Sequence, residues 1–240
     1  AQLKIIKKPY FYQRPSFIIS VLAIVIGVVI LIIKMRFDRL KRQKQETEKM
    51  SIEVIQALVG TIDAKDKYTN GHSIRVAQYS KMISKALGDS EEEQKRVYYS
   101  ALLHDIGKIG IPDTIINKPA ALTTEEYDIV KTHPEIGSQI LRSITTMKEI
   151  SVGARWHHEQ FDGSGYPDKL KGEDIPKIAR IIGVADAYDA MTSNRSYRKY
   201  LPQDKVRKEF EENKSSQFDS KMAEIMIKII DEDTDYLLHE

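Results

Sequence analysis

The sequence predicts an all-α protein, a helical body with additional C-terminal helices that follows a single transmembrane helix. Three observations support this fold class. Apolar residues beyond residue 62 recur almost entirely at helical spacing. No stretch of useful length alternates apolar and polar residues, as a half-buried strand would. Residues 17–33 form an apolar run without any charged side chain.

The apolar run at residues 17–33 predicts the membrane segment. As a helix rising about 1.5 Å per residue it would be roughly 25 Å long, near the lower limit for a bilayer core. Arg14 and Lys34 flank the run and would reach the headgroups. A buried core helix is usually shorter, and basic residues rather than a cleavage site follow the run, which disfavours a signal peptide. We therefore predict a transmembrane helix at 16–34 after a short extracytoplasmic or interfacial arm at 1–15.

Charge is distributed unevenly along the chain. The formal net charge is +2, but residues 1–15 contribute +4, residues 34–44 contribute +5 and the remainder carries −7. A negatively charged body argues against a DNA or RNA partner. The positive-inside rule predicts a single-pass protein of the inner membrane with its C-terminal body in the cytoplasm. The basic juxtamembrane helical linker at 35–50 would transmit a signal from outside to the body. The basic stretch at 34–44 has an equally good interpretation as an anchor to the lipid bilayer.

Composition excludes several classes of protein. The chain has no cysteine, which rules out a disulfide-stapled module, a thiolate zinc finger and a cysteine nucleophile. The first residue is Ala1 rather than methionine. We therefore expect a part of the protein upstream of this chain, with any sensor domain located there.

Helical spacing and capping signals define the elements of the body. A helix at 34–62 leaves the membrane with a partly heptad pattern, which favours a homodimer weakly. The next predicted helix covers 76–87 and stops at Gly88. Ser90 with Glu93, and Thr123 with Glu126, have the pattern of capping boxes that begin two more helices. Further helices are predicted at 148–159, 177–193, 203–213 and 220–231.

Histidines and carboxylates suited to metal ligation are scattered over more than a hundred positions. Each alone has an ordinary interpretation as a helix cap, a satisfied polar group or solvated surface. Together they suffice for two divalent ions with three or four protein ligands each, one carboxylate bridging. Two ions about 3.5–4 Å apart commonly serve phosphoester hydrolysis, and this thiolate-free ligand set suits Fe, Mn, Ni or Zn. The residues are His72, His104, Asp105, His133, His157, His158 and Asp186.

The motifs around these residues carry a family resemblance over residues 51–230. In order along the chain they are Lys65-Asp66, Tyr68-Thr69, His72-Ser73 with Arg75-Val76, the block from Leu103 to Lys108, Ile111-Pro112, Lys118, the block from His133 to Gly137, the block from His157 to Pro167, the block from Ala185 to Asp189, and Arg195 to Tyr197. The chain thus resembles the HD-GYP family, HD-domain phosphohydrolases that hydrolyse cyclic di-GMP. The resemblance implies an HD-domain helical bundle and a catalytic domain at 51–240.

The resemblance also implies residue roles. All seven histidines and carboxylates would be metal ligands, with Asp105 bridging two ions, Fe or Mn by preference. Lys108 would contact the scissile phosphate and share the catalytic role with Asp105. The segment Gly165, Tyr166, Pro167 would border the substrate groove, and Arg195 and Arg198 would hold phosphate or guanine.

Two departures from the family pattern qualify these roles. Some members have a glutamate one turn before the first histidine and bind a third metal; Tyr68 stands there, which favours two ions. The usual Arg-Pro-Tyr is Arg195-Ser196-Tyr197, which keeps the charged group.

The implied function is a cyclic di-GMP phosphodiesterase of bacterial signalling. The product would be linear pGpG, with a second cut to GMP left open. One alternative is a receptor or adaptor that binds the nucleotide without meaningful turnover. Another is a phosphodiesterase for a different cyclic dinucleotide, such as cyclic GMP-AMP.

Overall fold

A computed structural model describes residues 10–66, 71–193 and 199–239 of the chain. The chain divides into two compact units, Ala1–Ile55 and Gln56–Glu240. Within the described residues, β pairing is limited to an isolated bridge between Lys214 and Phe218. The prediction of an all-α protein is therefore confirmed.

The first long helix, α1, begins at Pro15 and ends at Lys65. It contains the predicted helix at 34–62 and the apolar run in one continuous element. Its most apolar 18-residue window has a mean hydropathy of 3.2 and no buried residue. By length and composition alone, α1 is able to cross a membrane. Toward its end, Val59 and Ile62 become buried.

The body of the second unit consists of short helices around one apolar core. The helices are α2 His72–Ala86, α3 Glu91–Leu102, α4 Asp113–Ile116, α5 Thr124–Val130, α6 His133–Leu141, α7 Glu149–Trp156, α8 Lys177–Thr192, α9 Gln203–Glu212 and α10 Ser220–Glu232. Short 3-10 turns lie at Ile106–Gly110, Gly172–Asp174 and Leu237–His239, and a further one at Phe11–Gln13 precedes α1. α2 packs on α3 and α8, α3 and α8 both pack on α7, and α6 packs on α7. α9 and α10 pair with each other and lie against α8.

The helix ends follow the capping signals of the sequence. The backbone N–H of Glu93 donates to Ser90 Oγ at 3.3 Å, and the Glu93 carboxylate accepts from the Ser90 backbone at 2.9 Å. Thr123 and Glu126 form the same reciprocal pair. Both predicted capping boxes are confirmed, and each satisfies two backbone donors that the first helical turn leaves free.

The predicted helix at 148–159 is too long at its C-terminus. α7 ends at Trp156, and the chain turns so that the Glu159 N–H donates to the Trp156 carbonyl at 3.0 Å. The Glu159 carboxylate accepts hydrogen bonds from the backbone of Asp168 and Leu170. These contacts with a distant loop outweigh the helical preference of residues 157–159, which instead lie in the turn that begins the site described next.

Candidate metal centre

The seven predicted ligands lie together although they span positions 72 to 186. Their ligand atoms form two groups, each with all atoms within 4.8 Å of one another. The first ligand group is His72, His104 and Asp186, and the second ligand group is Asp105, His133, His157 and His158. His72 and His133 each begin a helix, His104 and Asp105 follow α3, His157 and His158 follow α7, and Asp186 lies within α8.

Asp105 connects the two groups through its two carboxylate oxygens. Oδ1 lies 3.2 Å from His133 Nε2 and 3.9 Å from His157 Nε2. Oδ2 lies 3.4 Å from His104 Nε2 and 3.6 Å from His72 Nε2. A carboxylate that turns one oxygen toward each group is suited to bridge two cations. The donor set of imidazoles and carboxylates, with its atoms converging in this way, fits two divalent ions.

Backbone carbonyls orient three of the imidazoles. His104 Nδ1 donates to the Ala101 carbonyl at 2.7 Å, and His133 Nδ1 donates to the Val130 carbonyl at 2.7 Å. His157 Nδ1 donates to a carbonyl one turn earlier in α7 at 3.0 Å. Because Nδ1 carries the proton in each ring, the unprotonated Nε2 points into the centre, as a metal ligand requires.

His72 is oriented by a side chain instead. Its Nδ1 donates to Asp189 Oδ2 at 2.7 Å, and Arg75 Nε donates to Asp189 Oδ1 at 2.6 Å. Asp189 is buried, so the guanidinium of Arg75 supplies the charge that its carboxylate requires. Carboxylates behind ligating histidines hold the ring and raise its basicity.

Sequence reasoning did not assign roles to Asp189 and Arg75. A signal was present, because Asp189 lies three residues after Asp186 and Arg75 lies three residues after His72, so each is on the ligand's face of its helix. That spacing alone does not reveal that the two faces meet.

The carboxylates give the first ligand group a strong attraction for positive charge. Burial alone would lower the pKa of His72, but hydrogen bonds to Asp105 and Asp189 outweigh it and raise the pKa to about 9. The charge of Asp186 acts in the same direction. A divalent cation that binds here therefore competes with a proton on His72.

The second ligand group has the opposite electrostatic character. Burial, reinforced by the neighbouring imidazole His133, lowers the pKa of His158 to about 3. Burial and adjacent histidines likewise lower the pKa of His157. Burial opposes the ionisation of Asp105, yet Lys108 and the surrounding imidazoles hold its pKa well below the usual range. Neutral imidazoles beside an ionised carboxylate are the protonation states that metal ligation requires.

Lys108 lies directly beside the bridging carboxylate. Its Nζ is 2.7 Å from Asp105 Oδ2 and 3.2 Å from Asp66 Oδ2. Burial opposes its charge, but the two carboxylates outweigh burial and raise the pKa of Lys108. It therefore remains a cation next to the centre.

A close backbone approach brings the block around Asp105 against α6. A Cβ atom on Gly107 would lie 1.8 Å from the His133 carbonyl oxygen and 2.5 Å from the Gly137 nitrogen. Only glycine fits this position, which explains why the block from Leu103 to Lys108 has a glycine two residues after Asp105.

A cavity of about 340 Å³ opens beside the centre. His158 and Asp186 form part of its wall, and the Tyr166 ring stacks on His158 with centroids 4.8 Å apart. Gly165 lets this loop pack closely, because a Cβ there would lie 2.3 Å from the Gln160 nitrogen. The remaining wall includes Tyr127, Phe161, Arg180, Gln217, Phe218 and Asp219.

The other predicted substrate residues divide into two sets. Pro167 follows Tyr166 through a cis peptide bond and is partly exposed. Tyr68, Arg195, Tyr197 and Arg198 lie outside the described residues. The predictions for those four positions stay predictions.

The chain is similar to known proteins over most of its length. The HD domain profile matches residues 27–222. A cyclic di-GMP phosphodiesterase of Thermotoga maritima is 39% identical over 197 residues, which cover 81% of this chain and 54% of that protein. The 3'3'-cGAMP-specific phosphodiesterase 2 of Vibrio cholerae is 36% identical over 193 residues, covering 78% of this chain and 36% of that protein. The chain thus spans about half or less of these relatives.

Two solved structures share the fold. The crystal structure of a cyclic GMP-AMP-specific phosphodiesterase of V. cholerae has a TM-score of 0.60 at 20% identity, covering 77% of this chain and 49% of that chain. A phosphodiesterase HD domain of L. monocytogenes in complex with cyclic-di-AMP has a TM-score of 0.53 at 21% identity, covering 75% of this chain and 97% of that chain. With the profile match extending over most of its length, this chain belongs to the HD domain family.

Proposed function

We propose that the chain is a metal-dependent phosphodiesterase of the HD-GYP subgroup that hydrolyses cyclic di-GMP to linear pGpG. The observation that carries the proposal is the placement of Asp105, with one oxygen toward each ligand group. The cyclic di-GMP phosphodiesterase of Thermotoga maritima, similar over most of this chain, supports the choice of substrate class. Fe or Mn is the proposed metal, as the family resemblance implies, and a set of imidazoles and carboxylates without thiolate is compatible with either.

The proposed reaction adds one water across a P–O3′ bond. The phosphorus gains the water oxygen, and the 3′-oxygen leaves and takes a proton. When bound, the two ions supply a nucleophile from water and offset the charge of the phosphodiester. Asp105 would contribute one carboxylate oxygen to each ion. The cationic Lys108 would balance the negative charge that builds on the non-bridging phosphoryl oxygens.

The cavity beside the centre is the proposed place of one nucleotide of the substrate. Its volume of about 340 Å³ is in the range of small-molecule sites, and Tyr166 presents an aromatic ring at its edge. Gly165 and Pro167 shape the loop that carries this ring. Arg195 and Arg198 are proposed to hold phosphate or guanine, which would offset the negative charge of the body.

The membrane attachment is a proposal as well. We place an arm at 1–15, a transmembrane helix at 16–34, a basic linker at 35–50 and the catalytic domain at 51–240. The support is the hydropathy of α1 and the basic residues that follow its apolar run. The enzyme would be a single-pass homodimer of the inner membrane, with its catalytic domain in the cytoplasm.

The test is turnover by the full chain, purified in detergent and loaded with Mn²⁺ or Fe²⁺. We expect cyclic di-GMP to disappear and pGpG to form as the first product. Chromatography of the nucleotides measures both amounts over time. Asp105→Ala is the inactive control, and its activity should equal the rate without protein. Turnover by Asp105→Ala at the wild-type rate would refute the assignment of the centre.

Cyclic GMP-AMP is a second candidate substrate. The observation in its favour is the 36% identity to a 3'3'-cGAMP-specific phosphodiesterase of Vibrio cholerae. Competition between the two labelled dinucleotides for one enzyme preparation gives the ratio of their kcat/KM values. A ratio above one for cyclic di-GMP supports our proposal, and the opposite ratio favours cyclic GMP-AMP. Tight binding of either without turnover would instead identify a receptor.

A further inference from the structure

Lys108 contacts two carboxylates, and only one of them belongs to the ligand groups. Asp105 Oδ2 lies 2.7 Å from Lys108 Nζ, and Asp66 Oδ2 lies 3.2 Å from the same atom. When ions occupy the centre, the charge of Asp105 is committed to them, and they repel the ammonium of Lys108. Asp66 is then the bonded carboxylate that remains to hold Lys108 in place.

Burial and the hydrogen bonds of its neighbour Lys65 fix the position of Asp66 relative to Lys108. Asp66 follows Lys65, the last residue of α1, and is itself buried. Lys65 Nζ donates to the Ile109 carbonyl at 2.7 Å, and Asn117 Nδ2 donates to the Lys65 carbonyl at 2.8 Å. The end of α1 is therefore fastened to the turn Ile106–Gly110, which contains Lys108.

We propose that Asp66 is a positioning residue that holds Lys108 beside the centre and, once ions are bound, keeps its ammonium from competing with them for Asp105. The inference rests on the proposed function only in requiring that the centre bind divalent ions and hydrolyse a phosphodiester. It follows that the position of the end of α1 controls the reactivity of the centre. A shift of Lys65 and Asp66 would leave Lys108 paired with Asp105 alone.

A double-mutant cycle tests whether Asp66 acts through Lys108. The variants are Asp66→Asn, Lys108→Gln and the double substitution, in the full chain loaded with Mn²⁺. We expect Asp66→Asn to lower kcat/KM about tenfold in the wild-type background, a usual effect for a partner behind the reacting groups. In the Lys108→Gln background the same change should lower it less than twofold. Both cyclic di-GMP and the generic diester bis(p-nitrophenyl) phosphate serve as substrates.

Binding of Mn²⁺, measured by calorimetry without substrate, gives a readout independent of turnover. Without Asp66, Lys108 pairs with Asp105 alone and competes with the ion for Oδ2. We expect Asp66→Asn to weaken Mn²⁺ binding several-fold when Lys108 is present and to leave it unchanged in Lys108→Gln. An equal loss in both backgrounds, or no loss in either, overturns the inference. If neither diester is hydrolysed, the proposed function fails, while the Mn²⁺ titration still decides the role of Asp66.

Asp89→Asn is the matched control. Asp89 is also an aspartate paired with a lysine, and its side chain is 9% exposed compared with 11% for Asp66. Its partner Lys177 begins α8, outside the centre. This variant should keep the kinetics and Mn²⁺ affinity of the wild type. If Asp66→Asn does not fold, Lys65→Met replaces it in the cycle, with a twofold to fivefold loss expected only when Lys108 is present.

Discussion

The two ligand groups differ in the imidazole of His72, which a side chain rather than the backbone holds. His104 of the first ligand group donates to a backbone carbonyl. In the second ligand group, His133 and His157 donate to backbone carbonyls. In the first, His72 donates to the carboxylate of Asp189, which in turn accepts from Arg75. A carbonyl acceptor is part of the helix and no substitution removes it, whereas a carboxylate can be replaced. The comparison teaches that the two metal positions should respond separately to mutation.

The largest expected effect comes from the residue that the two groups share. Asp105→Ala removes an oxygen from each group, so both ions should bind poorly. Since metal ions supply several kcal/mol to such reactions, we expect activity to fall about a thousandfold or more. Metal analysis of the purified variant should give far fewer than two Mn²⁺ per chain. Retention of one tightly bound ion would mean that the groups are not joined through Asp105.

The next largest effect comes from substitutions that remove a ligand from one ligand group only. His104→Ala removes a ligand from the first group, and His133→Ala removes one from the second. We expect each to retain about one Mn²⁺ per chain and to lose roughly a hundredfold in activity, as expected when a group that stabilises the transition state is removed. The two variants should each lose the ion of a different ligand group. Competition between Mn²⁺ and Zn²⁺ for the remaining ion would show which group each variant keeps. Loss of both ions from either variant would contradict independent groups.

A smaller effect is expected behind His72. Asp189→Asn keeps an acceptor for His72 Nδ1 but removes the charge that raises its basicity. We expect the first group to bind Mn²⁺ about tenfold to a hundredfold more weakly, with the second group unchanged. Calorimetric titration with two resolved binding steps measures this. Equal weakening of both steps would show that Asp189 supports the fold as a whole.

Much of this centre was predictable from sequence because it depends on local patterns. Capping boxes begin α3 and α5, as the Ser/Thr signals indicate, and the apolar residues of α2 recur at the 3.6-residue helical spacing. The ligand residues stand out because histidines and acids occur at the ends of apolar helices. The resemblance of the motifs then implies that these residues together ligate two metal ions.

The positions missed by sequence reasoning depend on contacts between distant segments. Arg75 reaches Asp189 across 114 positions, and Lys108 reaches Asp66 across 42. No periodicity carries information on which helix faces meet. The same limit explains why α7 was predicted to extend to residue 159, since the loop that binds the Glu159 carboxylate follows nine residues later.

The smallest effect is a difference in pH dependence between the groups. Carboxylates raise the pKa of His72 to about 9, so at pH 7 to 8 this ring is protonated before an ion binds. Burial lowers the pKa of His158 to about 3, so that ring is already neutral. Binding at the first group should therefore release about one proton and strengthen about tenfold per pH unit between pH 7 and 8.

Calorimetry in buffers of different ionisation enthalpy counts the released protons. The second group should release close to none over the same pH range. In Asp189→Asn the His72 pKa falls, because one of the three carboxylates that raise it has lost its charge. The first group should then release fewer protons, although it binds more weakly. An unchanged proton count in that variant would show that Asp189 does not set the charge of His72, and the contrast between the two groups would be one of geometry alone.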